Sequence, residues 1–225
     1  MDRSGGKHAK SHATGKPGIL AGFAGILLAG LLGGCSVFQP IPDTSTFHTV
    51  ILDAGHGGHD QGGRSVRGYN EKVLALDVAK RTKPILERYG YRVILTRNSD
   101  VFIPLGQRVA ISNSYPNSVF VSIHFNHARR RAASGLETYY YNPRYRRFAA
   151  NIQQEILKTY RCPDRGVKPA RFYVLRNNRR PAVLVELGFL SNASDNKLAQ
   201  DPRHRQRLAE AIARGILDER AGQRP

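Results

Sequence analysis

The sequence predicts an α/β domain: a single unit with a mostly parallel or mixed sheet covered by helices on both faces. Runs of β-branched and apolar residues alternate with segments of helical apolar spacing over roughly 170 residues, the pattern of strands and helices stacked in layers. No internal repeat divides that alternation. Apolar residues make up 40% of the 225. Once an N-terminal segment is set aside, about 175 to 190 residues remain, enough for one full core. The runs of Val, Ile and Leu exclude a disordered chain.

The elements follow in order. Phe47 to Asp53 is a β-branched apolar run ending at Gly55, and reads as a buried strand. Asn70 to Tyr89 carries helical spacing through Val73, Leu76, Val78, Ala79, Ile85 and Leu86, with Pro84 expected to bend or interrupt it and Gly90 to end it. Tyr91 to Arg97 is a second strand, Leu105 to Asn113 a short helix, and Val119 to His124 a third strand. Gly135 to Tyr141 is a fourth strand and Tyr145 to Tyr160 a helix. Phe172 to Leu175 and Ala182 to Leu187 read as further strands. Pro202 to Arg220 closes the chain as an amphipathic helix with Leu208, Ile212, Ile216 and Leu217 at helical spacing.

The N-terminus reads as an address. A polar segment with Lys7, Lys10 and Lys16 precedes an apolar stretch from Ile19 to Leu32, which has signal-peptide length and is short for a membrane span of roughly 20 residues. Leu32-Gly33-Gly34-Cys35 then resembles the lipobox of bacterial lipoproteins, in which the chain is cut before a Cys that becomes acylated. The expected organisation is a signal peptide over 1–34, a lipidated Cys35 with a short Pro- and Ser-containing tether over 35–46, and a catalytic domain over 47–221. The other reading is an uncleaved helix with an incidental Cys. A lipid anchor places the protein in the cell envelope on a membrane, facing the periplasm from the outer membrane if the host has one. Cys162 lies far from Cys35, and neither has a Cys-x-x-Cys partner, so thiolate metal sites and redox pairs are not expected.

Lys plus Arg number 35 against 17 Asp plus Glu, a net charge of +18, of which the first 34 residues supply +3. A surface carrying +15 favours polyanions such as nucleic acid, anionic lipid or an acidic wall polymer, or is kept for solubility. No nucleic-acid motif accompanies the charge, so nucleic acid is not an expected partner.

In open α/β sheets ligands bind beyond the carboxyl ends of strands. The first strand runs into Asp53-Ala54-Gly55-His56-Gly57-Gly58-His59-Asp60, the third ends at His124, the last contains Glu186, and Glu71 opens the first helix. Two His and two Glu thus converge on one edge. Two imidazoles and one carboxylate are a common catalytic zinc set that leaves one position for water, and a second carboxylate can carry the proton. His-Glu-x-x-His is absent, so the ligands are spread along the chain. His59 and His127 are rival ligands. Glu71 also suits a helix N-terminus as a plain charge, whereas Glu186 within an apolar strand is costly unless paired or functional.

These residues carry a resemblance. Asp53 to Asp60 with Glu71, Ser122-Ile123-His124-Phe125-Asn126, and Pro181 to Asn192 are similar to the motifs of zinc-dependent N-acetylmuramoyl-L-alanine amidases. Thr96-Arg97, Arg108 and Arg165-Gly166-Val167-Lys168 agree with them, and the resemblance spans about Thr49 to Ile216. It implies one Zn2+ per chain held by His56, Glu71 and His124, with Glu186 as the catalytic residue. It also implies hydrolysis of the amide between N-acetylmuramic acid and L-alanine of the peptidoglycan stem peptide. A monomer is expected, with peptidoglycan as substrate and the membrane reached through the lipid anchor. A catalytically inactive wall-binding lipoprotein and an exported zinc peptidase of other bond specificity are the alternatives. Arg97 and Arg108 read as structural ion-pair donors. Arg129-Arg130-Arg131 is either a solvated loop or a contact for stem-peptide carboxylates. Some members of the family carry a helix that blocks the zinc cleft; the stretch from Tyr141 to Phe172 leaves room for about one helix and a turn, so no self-blocking insertion is expected.

Overall fold

The computed structural model describes residues 46–221, with side chains through Glu219. The expected signal peptide over 1–34, the expected lipidated Cys35 and nearly all of the expected tether lie outside the described residues. Six strands form one sheet: β1 (Thr49–Ala54), β2 (Arg92–Leu95), β3 (Ser118–Asn126), β4 (Leu136–Tyr140), β5 (Asp164–Pro169) and β6 (Ala182–Phe189), in the order β2-β1-β3-β6-β4-β5. β2, β1, β3 and β6 run parallel; β4 pairs antiparallel with β6, and β5 runs parallel to β4. The sheet is therefore mixed, as expected.

The helices are α1 (Glu71–Arg88), α2 (Leu105–Asn113), α3 (Arg146–Leu157), α4 (Tyr173–Arg176), α5 (Ala193–Gln200) and α6 (Pro202–Ala221). Because strand side chains alternate between faces, each strand feeds two cores. Val50, Leu52, Val119, Val121, Ile123, Val183 and Val185 face α1, α3 and α6 in the larger one. Ile51, Phe120, Ala182 and Leu184 face α2 and α4 in the smaller one, through Val109, Val174 and Leu175. α6 brings fully buried Leu208, Ile212 and Ile216 to the larger core, each contributing about 1.5–3 kcal/mol. Its Gly215 lets the α3 backbone approach, since a Cβ there would lie 2.5 Å from Ile152 Cα.

Several sequence expectations need correction. α1 runs unbroken through Pro84. The acceptor Pro84 leaves without a donor, the Lys80 carbonyl, belongs to an exposed residue, so water can satisfy it. Phe172 to Leu175 is not a strand but leads into α4. Its burial runs exposed, exposed, buried, buried, the turn of a helix and not the alternation of a strand. β5 and α5 were not anticipated. β5 is an edge strand of polar sequence with Gly166 and a terminal Pro169, features that sheet edges tolerate. α5 is capped at its N-terminus by Asn192, whose side chain accepts from the Ser194 and Asp195 N–H groups. Between Tyr141 and Phe172 lie a 3-10 turn, α3 and β5; α3 buries Phe148, Ala149, Ile152 and Ile156 in the larger core, on the sheet face opposite His124 and Glu186.

Candidate metal centre

On the face that α2 and α4 cover only in part, the odd positions of β1, the even positions of β3 and β6, and the odd positions of β4 turn from apolar to polar toward one end. Ile51 gives way to Asp53, Phe120 to Ser122 and His124, and Leu184 to Glu186. His124 is registered opposite Glu186, and Glu186 opposite Glu137. The site therefore occupies the open part of this face as well as the carboxyl edge.

His56 joins this row from the loop after β1. The loop turns tightly: His56 has φ 60°, Gly57 129° and Gly58 59°, so the glycines supply backbone shapes that other residues reach only with strain. Two buried arginines hold the loop. Arg97 donates from Nε to the Ala54 carbonyl (3.0 Å) and from its terminal nitrogen to the Gly55 carbonyl (2.7 Å). Arg108 donates to the carbonyls of Ala54 and His56 at 2.6 Å each and to Asp53 Oδ1 at 2.8 Å. Asp53 also accepts from Thr96 and Ser122, both at 2.7 Å. The expectation of structural ion pairing holds for Arg108 only: Arg97 spends its donors on carbonyls.

Glu71, buried at the N-terminus of α1, brings one oxygen to both imidazoles. Its Oε1 lies 3.1 Å from His56 Nε2 and 2.8 Å from His124 Nδ1, and accepts from the Phe125 N–H; Oε2 accepts from the Gly63 N–H at 2.6 Å. Burial opposes charge on Glu71, but the hydrogen bonds and charges of His124 and His56 outweigh it and hold the carboxyl well below its ordinary range. His56 also meets Asp60 Oδ2 through Nδ1 at 2.8 Å. Burial lowers its pKa, yet Glu71 and Asp60 more than offset this and raise it. The two imidazoles stand edge to face, centroids 5.0 Å apart.

These residues fit a divalent metal ion. Among the described residues, His56, Glu71 and His124 each offer a ligand atom, all within 4.8 Å of one another. Two imidazole nitrogens and one carboxylate oxygen, with Asp60 fixing the far side of one ring, are a donor set that suits a catalytic metal. The cradle is shaped for it: Gly55 and Gly62 leave space that a Cβ would fill, 2.3 Å from His124 Cε1 and 2.5 Å from Glu71 Oε2. His59 and His127 stand outside the cluster; the His59 ring packs on Phe102 at 4.1 Å.

Glu186 lies beside this group in a cleft of about 500 Å³ with His56, His124, Asp60, Phe102, Phe172 and Tyr173 on its walls. Its Oε2 is buried without a hydrogen-bond partner. Burial first, then the negative charges of Glu71 and Glu137, push its pKa well above the ordinary carboxylate value. Glu137, next to it on β4, was overlooked in the sequence. It accepts from Asn126 and Tyr139 on Oε1 and from Arg165 and Lys168 on Oε2. Burial opposes its charge, but the Lys168, Tyr139 and Arg165 hydrogen bonds prevail and its pKa falls. A Glu within the strand run Gly-Leu-Glu-Thr-Tyr was the available signal, of the same kind that marked Glu186.

The family profile of N-acetylmuramoyl-L-alanine amidases matches residues 50–218. An uncharacterised Bacillus subtilis protein, YqiI, is 38% identical over 172 residues, covering 75% of this chain and 82% of its own length. The Staphylococcus aureus probable cell wall amidase LytH is 36% identical over 170 residues; the match covers 75% of this chain but only 57% of LytH. Among solved structures, the N-acetylmuramoyl-L-alanine amidase AmiC2 of Nostoc punctiforme superimposes with TM-score 0.74 at 40% identity, over 78% of this chain and 97% of that one.

Proposed function

The chain belongs to the N-acetylmuramoyl-L-alanine amidase family and is a peptidoglycan amidase; from that premise we propose that His56, Glu71 and His124 hold one Zn2+ and that Glu186 is its catalytic residue. When bound, the ion supplies Lewis acidity, lowering the pKa of water at the site and polarising a carbonyl. The bond cut is the amide between the lactyl carbonyl of N-acetylmuramic acid and the nitrogen of L-alanine. Glu186 accepts a proton from the attacking water as the new C–O bond forms. It returns that proton to the alanine nitrogen as the C–N bond breaks, leaving a lactyl carboxylate and a free amine. Asp60 orients the His56 ring, and the Phe125 N–H with the Gly63 N–H orients Glu71.

The observation that carries this reading is Glu186 itself: a carboxyl oxygen buried without a partner, beside a three-ligand cluster, in an open cleft. Such a buried carboxyl atom is costly unless it has a functional role. Glu186→Ala should reduce hydrolysis of purified sacculi by at least about 100-fold while metal analysis still finds one zinc per chain. Activity retained in that variant overturns the role. Mass spectrometry of the products should show peptides beginning with free L-alanine, and a chelator should stop their release.

The same reading places the enzyme on a membrane through acyl chains on Cys35, supported by the lipobox-like Leu32-Gly33-Gly34-Cys35. Cys35→Ala should move the protein from the membrane fraction to the soluble one; a variant that still sediments with membranes sinks the anchor.

A further inference from the structure

A groove of about 680 Å³ lies apart from the catalytic cluster. It lies over Arg67, Arg131 and Lys197 at the start of α5, and it shares Val66, Arg131 and Ser191 with a second groove of about 360 Å³ that adds Arg64 and Arg129. The two are thus one trough. All five cationic side chains are exposed, and none has an ion-pair partner among the described residues. Some other cations of the domain are paired, Lys72 with Asp100, Arg81 and Arg205 with Asp77, Arg214 with Glu155; these five are set apart by lining one concavity together. Five unpaired like charges in one concavity repel one another, and an anion relieves that repulsion.

The trough has a fixed relation to the metal centre. Arg64 directly follows Gly63, whose N–H holds Glu71 Oε2, and Arg129 lies five residues beyond His124. A Cβ on Gly63 would stand 3.2 Å from Glu71 Oε2 and 3.1 Å from His127 Cβ, so a single thickness of backbone separates the ligand carboxylate from the trough. On the other side of the same cluster the catalytic cleft is walled by Phe102, Leu105, Phe172 and Tyr173, aromatic and apolar surface without an unpaired cation. The two sides of the cluster therefore differ in kind.

The two sides of the substrate differ in the same way. A muramoyl amide carries sugar rings on its carbonyl side and a peptide with free carboxylates on its nitrogen side. We propose that the trough formed by Arg64, Arg67, Arg129, Arg131 and Lys197 is the subsite for carboxylates of the stem peptide, so that the peptide leaves the cluster past Gly63 and the glycan rests against the aromatic wall. Arginine suits this task, since its planar fork grips a carboxylate through two parallel hydrogen bonds. The proposal rests on the amidase reading above and adds to it which chemistry of peptide the enzyme prefers.

The test uses the zinc-loaded protein and two soluble muramoyl-peptides that differ only in having free or amidated side carboxyls. The wild type should favour the free-carboxylate substrate, and Arg64→Gln with Arg131→Gln should lower the ratio of the two kcat/KM values by at least about 10-fold. Lys197→Gln, made separately, should lower it in the same direction. An unchanged ratio overturns the subsite while leaving the amidase reading in place. Equal losses on both substrates, as expected of a surface that grips the wall polymer at large, also overturn it. Failure of the wild type to hydrolyse either substrate overturns the amidase reading, and the subsite falls with it.

Discussion

A Cβ on Gly55 would lie 2.3 Å from His124 Cε1 and 2.6 Å from each nitrogen of that ring. Gly55 is not among the glycines with positive φ, so alanine is acceptable to the backbone there and the conflict is with the imidazole alone. Gly55→Ala should therefore push the His124 ring off its place beside Glu71 while the fold persists. Disturbing the support of a metal ligand typically lowers metal affinity or activity about 10- to 100-fold. Zinc affinity measured by competition with a chromophoric chelator should fall by that range, with the far-UV circular dichroism unchanged. Wild-type affinity in the variant would mean that His124 does not bind the ion in the position it holds here. This glycine was visible in the sequence as the end of the first strand run, but its neighbour was not: the contact joins the end of β1 to a β3 side chain 69 residues further along the chain.

At the scale of elements, α2 is fastened to β1 by one side chain. Arg108 is 2% exposed, and its donors reach Asp53 and the carbonyls of Ala54, His56 and Ile103. Removing one partner of a buried ion pair strands the other charge, which costs about 3–5 kcal/mol. Arg108→Ala should lose stability of that order in urea unfolding, where a loss under about 1 kcal/mol would show that the pair is not what holds the loop. Of the elements, those with a strong period were legible: the β1, β3 and β6 runs, and α1 with its ends at Asn70 and Tyr89. α4 was misread because Phe172-Tyr173-Val174-Leu175 has strand-like composition and is too short for a period to show. β5 was missed because an edge strand needs no apolar run; its residues answer to Glu137 and to solvent.

Among the described residues, His204 is a buried titrating group remote from the metal centre whose effect on stability has a definite sign. The site itself was legible because His56, His124 and Glu186 follow or interrupt apolar strand runs and Glu71 opens the first helix, whereas Glu137 escaped although its strand was legible: its two cationic partners, Arg165 and Lys168, lie on β5, which the sequence did not reveal. His204 in α6 is different: nothing in its sequence context marks it, yet it is 1% exposed, with the Tyr160 ring edge-on at 4.5 Å. Burial first, then the charge of Arg207, lowers its pKa from 6.5 to about 4, against the weaker opposing pull of Asp201. Above pH 6.5 the ring is neutral in folded and unfolded chains alike, and its contribution is fully present. Between 6.5 and 4 the unfolded chain binds a proton that the folded chain refuses, so stability falls as the pH drops through this window and levels off below it. A displacement of about 2.5 units corresponds to roughly 3 kcal/mol. His204→Phe keeps a ring against Tyr160 and removes the titration, so subtracting its unfolding free energies from those of the wild type isolates this one group from the carboxylates that titrate nearby in pH. The difference should change by about 3 kcal/mol between pH 7.5 and pH 4. A difference independent of pH would show that the unfolded and folded chains hold this histidine alike.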